Sequence, residues 1–169
     1  TYDNGIAGYI SGYPSGLVDR GSVIDPSAFA GDFLQRIIIP PSAILDNGAQ
    51  LDGNILKVSL DINFQQAING PHRVACTLVE DSVTGSGPQY YQANYYSGGS
   101  SLIDVDGTDW NAKPSNVPDY MMVYRHVARA ISPSFLGDLL PQNSYGAGDT
   151  ETVCFEFILD PSWDLNKIH

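Results

Sequence analysis

The sequence predicts a mainly β protein: an antiparallel β-sandwich over residues 41–169, preceded by the C-terminal part of an α/β element over residues 1–40. Three observations carry this expectation. Residues 54–64 alternate with a period of two, placing Leu56, Val58, Leu60, Ile62 and Phe64 on one face and Lys57, Ser59, Asp61 and Asn63 on the other. That is the pattern of a strand with one dry and one wet side. Residues 150–159 repeat it, with Val153, Phe155, Phe157 and Leu159 on the core face. A helical period stands out only near the start, where Phe29, Phe33 and Ile37 recur four residues apart.

Taken in order, residues 6–13 read as a short strand running into Tyr13-Pro14, with Pro14 as a structural pivot and Ser15-Gly16 turning the chain into a second strand over 17–20. Asp25 then caps a helix, with Pro26 at its first position. Pro40-Pro41 ends that helix because proline cannot donate a helical hydrogen bond. After the 54–64 strand, Asn69-Gly70-Pro71 turns the chain into a strand over 72–81, and these two runs are expected to pair as a hairpin. Residues 82–119 are rich in Gly, Ser, Tyr, Asn and Pro and lack a period. A stretch that long is expected to be a functional loop. Residues 120–131 read as a strand, 132–149 as irregular, and Asp160-Pro161 turns the chain after the 150–159 strand. Lys167-Ile168-His169 looks like the first residues of another strand, so the sandwich is expected to be truncated at its C-terminal end.

Composition narrows the function. Hydrophobic residues make up 43% of the 169, enough for a packed core, while charged residues make up only 16%, below the roughly 25% of ordinary globular chains. Sparse charge with abundant Gly and Tyr suits an exported β protein. The formal net charge of -11 repels phosphate backbones and argues against nucleic-acid partners. No apolar run approaches the ~20 residues of a transmembrane helix, since Ile37-Ile38-Ile39 is cut short by the two prolines. Cys76 and Cys154 lie far apart without a C-x-x-C, which leaves two small core residues or one inter-strand disulfide as alternatives. No dinucleotide or P-loop glycine motif, no Gly-x-Ser-x-Gly and no His-Glu-x-x-His is present, so a non-catalytic role is expected and no cofactor is required.

Three constellations remain as candidate sites. Asp104, Asp106 and Asp109 alternate around Gly107, an arrangement able to wrap oxygen ligands about Ca²⁺ or simply to form an exposed turn. The spacing is not that of an EF-hand. Tyr90, Tyr91, Tyr95 and Tyr96 are interleaved with amide side chains, as in a stacking platform for sugars or peptides. Glu80, Asp81, His126 and Arg129 are charged groups on strand-like runs, and their expected role is structural pairing, with Arg129 meeting Glu80 or Asp81.

Leu78-Val79-Glu80-Asp81, the run from Gln89 to Tyr96, and Tyr124-Arg125-His126-Val127-Ala128-Arg129-Ala130 follow one another in an order that resembles the twenty-eight-kilodalton outer membrane protein family of Bacteroides-like Gram-negative bacteria. Gly12-Tyr13-Pro14-Ser15-Gly16 with Val18-Asp19-Arg20 also fits. The resemblance implies a thioredoxin-like domain followed by a β-rich domain, so that residues 1–40 would be a thioredoxin-like tail and 41–169 the β-domain. It implies a cell-surface, outer-membrane-associated or extracellular lipoprotein, an accessory module bound to an outer-membrane assembly or an extracellular ligand. Two further roles stand as alternatives: a docking domain of a thiol–disulfide protein whose active cysteines lie upstream of Thr1, which follows from the thioredoxin-like likeness, and a calcium-stiffened adhesion module, which follows from the Asp104, Asp106 and Asp109 loop. The chain departs from the family at Tyr124, where many members have a second His, and this speaks against a metal role for His126.

Overall fold

In the computed structural model, residues 5–10, 12, 15–104 and 106–169 are described, and the Tyr13-Pro14 pivot lies outside them. The described chain is mainly β, with one α-helix and several antiparallel sheets. It divides into two compact units, Thr1–Leu78 with Ala128–Trp163, and Val79–Val127 with Asp164–His169.

The first unit is organised by strands β1 (Ala43–Asp52) and β2 (Ile55–Phe64) and, much later in sequence, the strand Thr150–Ile158. β2 is central, antiparallel to both others, with Ala49↔Val58↔Phe155 and Asn47↔Leu60↔Val153 in register. A period of two puts the odd residues of the Thr150–Ile158 strand and the even β2 residues on one face, and Val58, Ile62, Phe64, Phe155 and Phe157 are buried there, as the alternation predicts. Ile62 and Phe64 pack with Leu140 and Tyr145, the Phe64 and Tyr145 rings stacking at 4.2 Å.

The expected hairpin between 54–64 and 72–81 does not form. The partner of β2 is β1, joined to it through Gly53, whose φ of +63° supplies the left-handed turn residue that Asp52-Gly53 announces. The second run breaks into β4 (Arg73–Val74) and β5 (Cys76–Glu80), after the short β3 (Ile68–Asn69). Further on come β6 (Gln92–Ala93), β7 (Asn116–Val117), β8 (Val127–Ser132), β9 (Asp138–Leu139) and β10 (Ser144–Tyr145), so that the strand Thr150–Ile158 is β11. β3 pairs with β10, β4 with β9, β5 with β8 and β6 with β7.

Two other expectations are corrected. Residues 5–9 form a helical turn, closed by Tyr9 N–H donating to the Ile6 carbonyl at 2.9 Å, rather than the start of a strand. Glycines at 5 and 8 give this segment no β-branched run to extend. The strand expected over 120–131 begins only at Val127: a 3₁₀ turn occupies Asp119–Met121, and His126 at φ +51° bends the chain ahead of β8.

Helix α1 (Phe29–Ile37) follows a 3₁₀ turn, Pro26–Ala28, whose first donors are satisfied by Asp25: Ser27 N and Oγ both donate to Asp25 Oδ1 at 2.9 and 2.6 Å. Its Phe29, Phe33 and Ile37 stripe is exposed. Both cysteines are free thiols, Cys76 half-buried and Cys154 exposed on the outer face of the three-stranded sheet. Among the described residues no helix is long and apolar enough to cross a membrane.

Candidate functional site: an aromatic loop and a histidine–carboxylate cluster

The second unit holds both features. It begins as β5 ends, and Val83 and Tyr124 exchange backbone hydrogen bonds at 2.8 and 2.9 Å to clamp the base of the long loop. Above this clamp the Tyr90 ring lies against Gly85, where a Cβ would meet the ring at 2.0 Å and force it to shift. Tyr124 Oη donates to the Tyr90 carbonyl at 2.9 Å. Gly87, at φ +103°, donates its N–H to Asp119 Oδ2 at 2.7 Å. Gln92↔Val117 and Ala93↔Asn116 then pair as β6 and β7, with Val117 completely buried.

Asn94 is the pin of the loop. It is 5% exposed, and its amide Nδ2 donates to the carbonyls of Trp110, Lys113 and Pro114 at 2.7, 3.3 and 3.3 Å. Its Oδ1 accepts from Tyr96 N at 3.0 Å, and its own N–H donates to the Ser115 carbonyl at 2.8 Å. Three acceptors at one end of the amide and a donor at the other leave a single sensible orientation. Directly beyond this pin Tyr95 is 96% exposed, and Tyr91 and Tyr96 are exposed too, whereas Tyr90 is folded inward. Three of the four predicted tyrosines therefore stand in solvent on a backbone that is held from below.

The aspartate loop closes on itself. Asp104 Oδ1 accepts from the N–H groups of Asp106 and Thr108 at 2.9 and 3.0 Å, and Oδ2 from Trp110 Nε1 at 3.0 Å. The Trp110 bond first, and the backbone donors after it, hold the Asp104 carboxyl below its ordinary range. Asp106 pairs with Arg125, and Asp109 accepts from Asn111 N at 3.0 Å. Each of the three carboxylates thus has a different partner.

Glu80 is buried, with Oε1 accepting from Asp164 N at 3.1 Å. Asp81 accepts from His126 N through Oδ1 at 2.8 Å, and the same oxygen lies 3.3 Å from His126 Nδ1. The backbone donor of His126, with the nearby imidazoles and Arg125 adding to it, lowers the Asp81 carboxyl from its ordinary value. His169 was not singled out by its sequence context. It reaches the cluster through backbone pairing: Val79 and His169 exchange N–H···O bonds at 2.9 Å in both directions, and Asp81 N donates to the Lys167 carbonyl at 3.0 Å. Its ring meets that of His126 edge to face, centroids 5.8 Å apart. One ligand atom from each of Asp81, His126 and His169 falls within 4.8 Å of the other two. Arg129 sits in β8, and its charge is felt by the Asp160 carboxyl.

No family model, no curated protein and no solved structure matches the chain.

Proposed function

We propose that this chain is a non-catalytic binding module of the Gram-negative cell surface, associated with the outer membrane, and that its tyrosine loop is the ligand-facing part. The observation that carries the reading is the juxtaposition of buried Asn94 with fully exposed Tyr95. A large apolar ring held out in water by a pinned backbone loses little conformational entropy when a ligand stacks on it. Gln89 and Gln92 are interleaved with the tyrosines, are not buried, and supply amide groups near the rings. The ligand class that fits is a saccharide or peptide with a flat apolar face, present outside the cell.

The sparse charge, the acidic balance and the segments 78–81, 89–96 and 124–130 that resemble the outer membrane protein family support the location. In the same reading the three-stranded sheet is one layer of an antiparallel sandwich, and residues 1–40 are the tail of a thioredoxin-like domain.

The test is a binding screen of the purified protein against extracellular polysaccharides and envelope peptides, repeated with Tyr95→Ala and Tyr96→Ala. Loss of one stacking ring should weaken binding about three- to tenfold, from the ~0.5–1.5 kcal/mol of an aromatic contact. A hit whose affinity ignores both substitutions would sink the assignment of the loop, and recovery of the native protein in the cytosolic fraction would sink the location.

A further inference from the structure

We propose that Asp81, His126 and His169 form a binding site for a divalent transition-metal ion of the zinc class, independent of the tyrosine loop. Two imidazoles and one carboxylate are a donor set for Zn²⁺, Ni²⁺ or Cu²⁺ rather than for the hard cations Ca²⁺ and Mg²⁺, which take oxygen. Three protein ligands leave a fourth position to water, as in zinc sites that are open on one side.

The geometry is nearly that of a ligated set. Zinc bonds to imidazole nitrogen and carboxylate oxygen run about 2.0–2.2 Å, so the ligand–ligand edge of a tetrahedron is about 3.4 Å. Asp81 Oδ1 and His126 Nδ1 already stand 3.3 Å apart. All three ligand atoms lie within 4.8 Å of one another, so rotation of an exposed ring by a fraction of its reach completes the set. The His126 side chain is 72% exposed and His169 is exposed as well, so ring rotation disrupts no core packing.

The backbone behind the site is fixed on each side. His169 is held by its two hydrogen bonds with Val79, and Asp81 by the one to Lys167. His126 occupies the left-handed region at φ +51°, a conformation that costs a non-glycine residue energy and is held here by its N–H donating to Asp81. Ser82, at φ +55°, bends the opposite side of the Val83–Tyr124 clamp. These bends aim His126 at the carboxylate. Arg125 is the nearby charge that opposes a cation, and its guanidinium is paired with Asp106.

The experiment is calorimetric titration of the purified protein with Zn²⁺ as the sole probe, with the imidazole resonances followed by NMR. One equivalent should bind, shifting His126 and His169 together and leaving His72, whose Nδ1 is engaged with the Gly70 carbonyl, unmoved. His169→Ala and His126→Ala should each weaken Zn²⁺ at least tenfold, since even groups behind metal ligands are worth about 10- to 100-fold. Asp81→Asn retains an oxygen acceptor for the His126 N–H while removing the charge, and it should weaken Zn²⁺ comparably with the backbone amide spectrum intact. His72→Ala should bind as the parent does. The proposal is overturned if Zn²⁺ fails to saturate a site at a hundredfold molar excess, if His72→Ala rather than His169→Ala abolishes binding, or if Ca²⁺ displaces Zn²⁺ at equal concentration.

Discussion

Asn94 holds the tyrosine loop through one amide, and truncating it to alanine should loosen the loop measurably. The side chain makes a short bond to the Trp110 carbonyl, a longer one shared between Lys113 and Pro114, and accepts one from Tyr96. Each buried hydrogen bond contributes about 1 kcal/mol net, and leaving its partner unsatisfied costs about 1–3 kcal/mol. Three such bonds are lost together, while a water entering the vacated amide volume would recover part of them. The expected cost is therefore about 2–4 kcal/mol. Urea denaturation followed by Trp fluorescence reads it, because Trp110 lies at the other end of the strongest bond. Hydrogen exchange at the Tyr96 amide should accelerate in parallel. Asn94→Asp separates donor from acceptor. It keeps an oxygen for Tyr96 but sets a carboxylate against three carbonyls, so at pH 7 it should cost at least as much as alanine. An alanine effect below about 0.5 kcal/mol, or a harmless aspartate, would refute the view that this amide pins the loop.

Other outcomes follow from particular contacts. Gly137→Ala should destabilise the first unit by about 1–3 kcal/mol or more, because a Cβ there would lie 2.4 Å from the Val74 carbonyl oxygen at φ +73°; an unchanged melting temperature would contradict the tight β4–β9 approach. A thiol reagent under native conditions should label Cys154 quickly and Cys76 slowly, since burial raises the Cys76 thiol and only Cys154 is exposed; equal rates in peptide mapping would contradict that difference. Stability should decline as pH falls below about 4, the ordinary aspartate range. The Asp160 carboxyl is lowered chiefly by the Ser162 hydroxyl and N–H, and that of Asp104 chiefly by Trp110. A depressed folded pKa gives stability that is present above the unfolded value and lost as pH drops through the folded one. Asp160→Asn and Asp104→Asn should each flatten part of this acid limb in a denaturant-midpoint series, and a parent-like limb in both would refute the assignment.

How much of this was legible in the sequence depended on the range of the interaction. β2 and β11 could be read because alternation is local: Val58, Ile62, Phe155 and Phe157 carry their burial in their own neighbours. β1 was missed because Asp46-Asn47-Gly48-Ala49-Gln50 is small and polar, and its strand state comes from ten backbone pairs with β2 rather than from propensity. The overlooked signal was Asp52-Gly53, a hairpin turn between two runs of equal length. The pairing of 54–64 with 72–81 was the natural local choice, and it does not form because both edges of β2 are taken, one by β1 through the Asp52-Gly53 turn and the other by β11 from much later in sequence.

The candidate sites divide in the same way. The tyrosines were visible as a cluster in sequence, but their division into one half-buried ring and three exposed ones depends on Gly85 receiving Tyr90 and on Asn94 reaching Trp110, contacts that composition does not encode. Asp104 shows the opposite case. Its spacing announces a turn, and Trp110 with two backbone amides donates to its oxygens, so the loop's internal hydrogen bonds come from near neighbours in sequence. The Asp81–His126–His169 cluster has no local motif at all. It exists because Val79 is in register with His169 and because His126 leaves the β region one residue before β8 begins. Three ligand atoms converging from three separated segments depend on that register, and a slip of one residue at Val79 would turn the His169 side chain to the other face and dissolve the site.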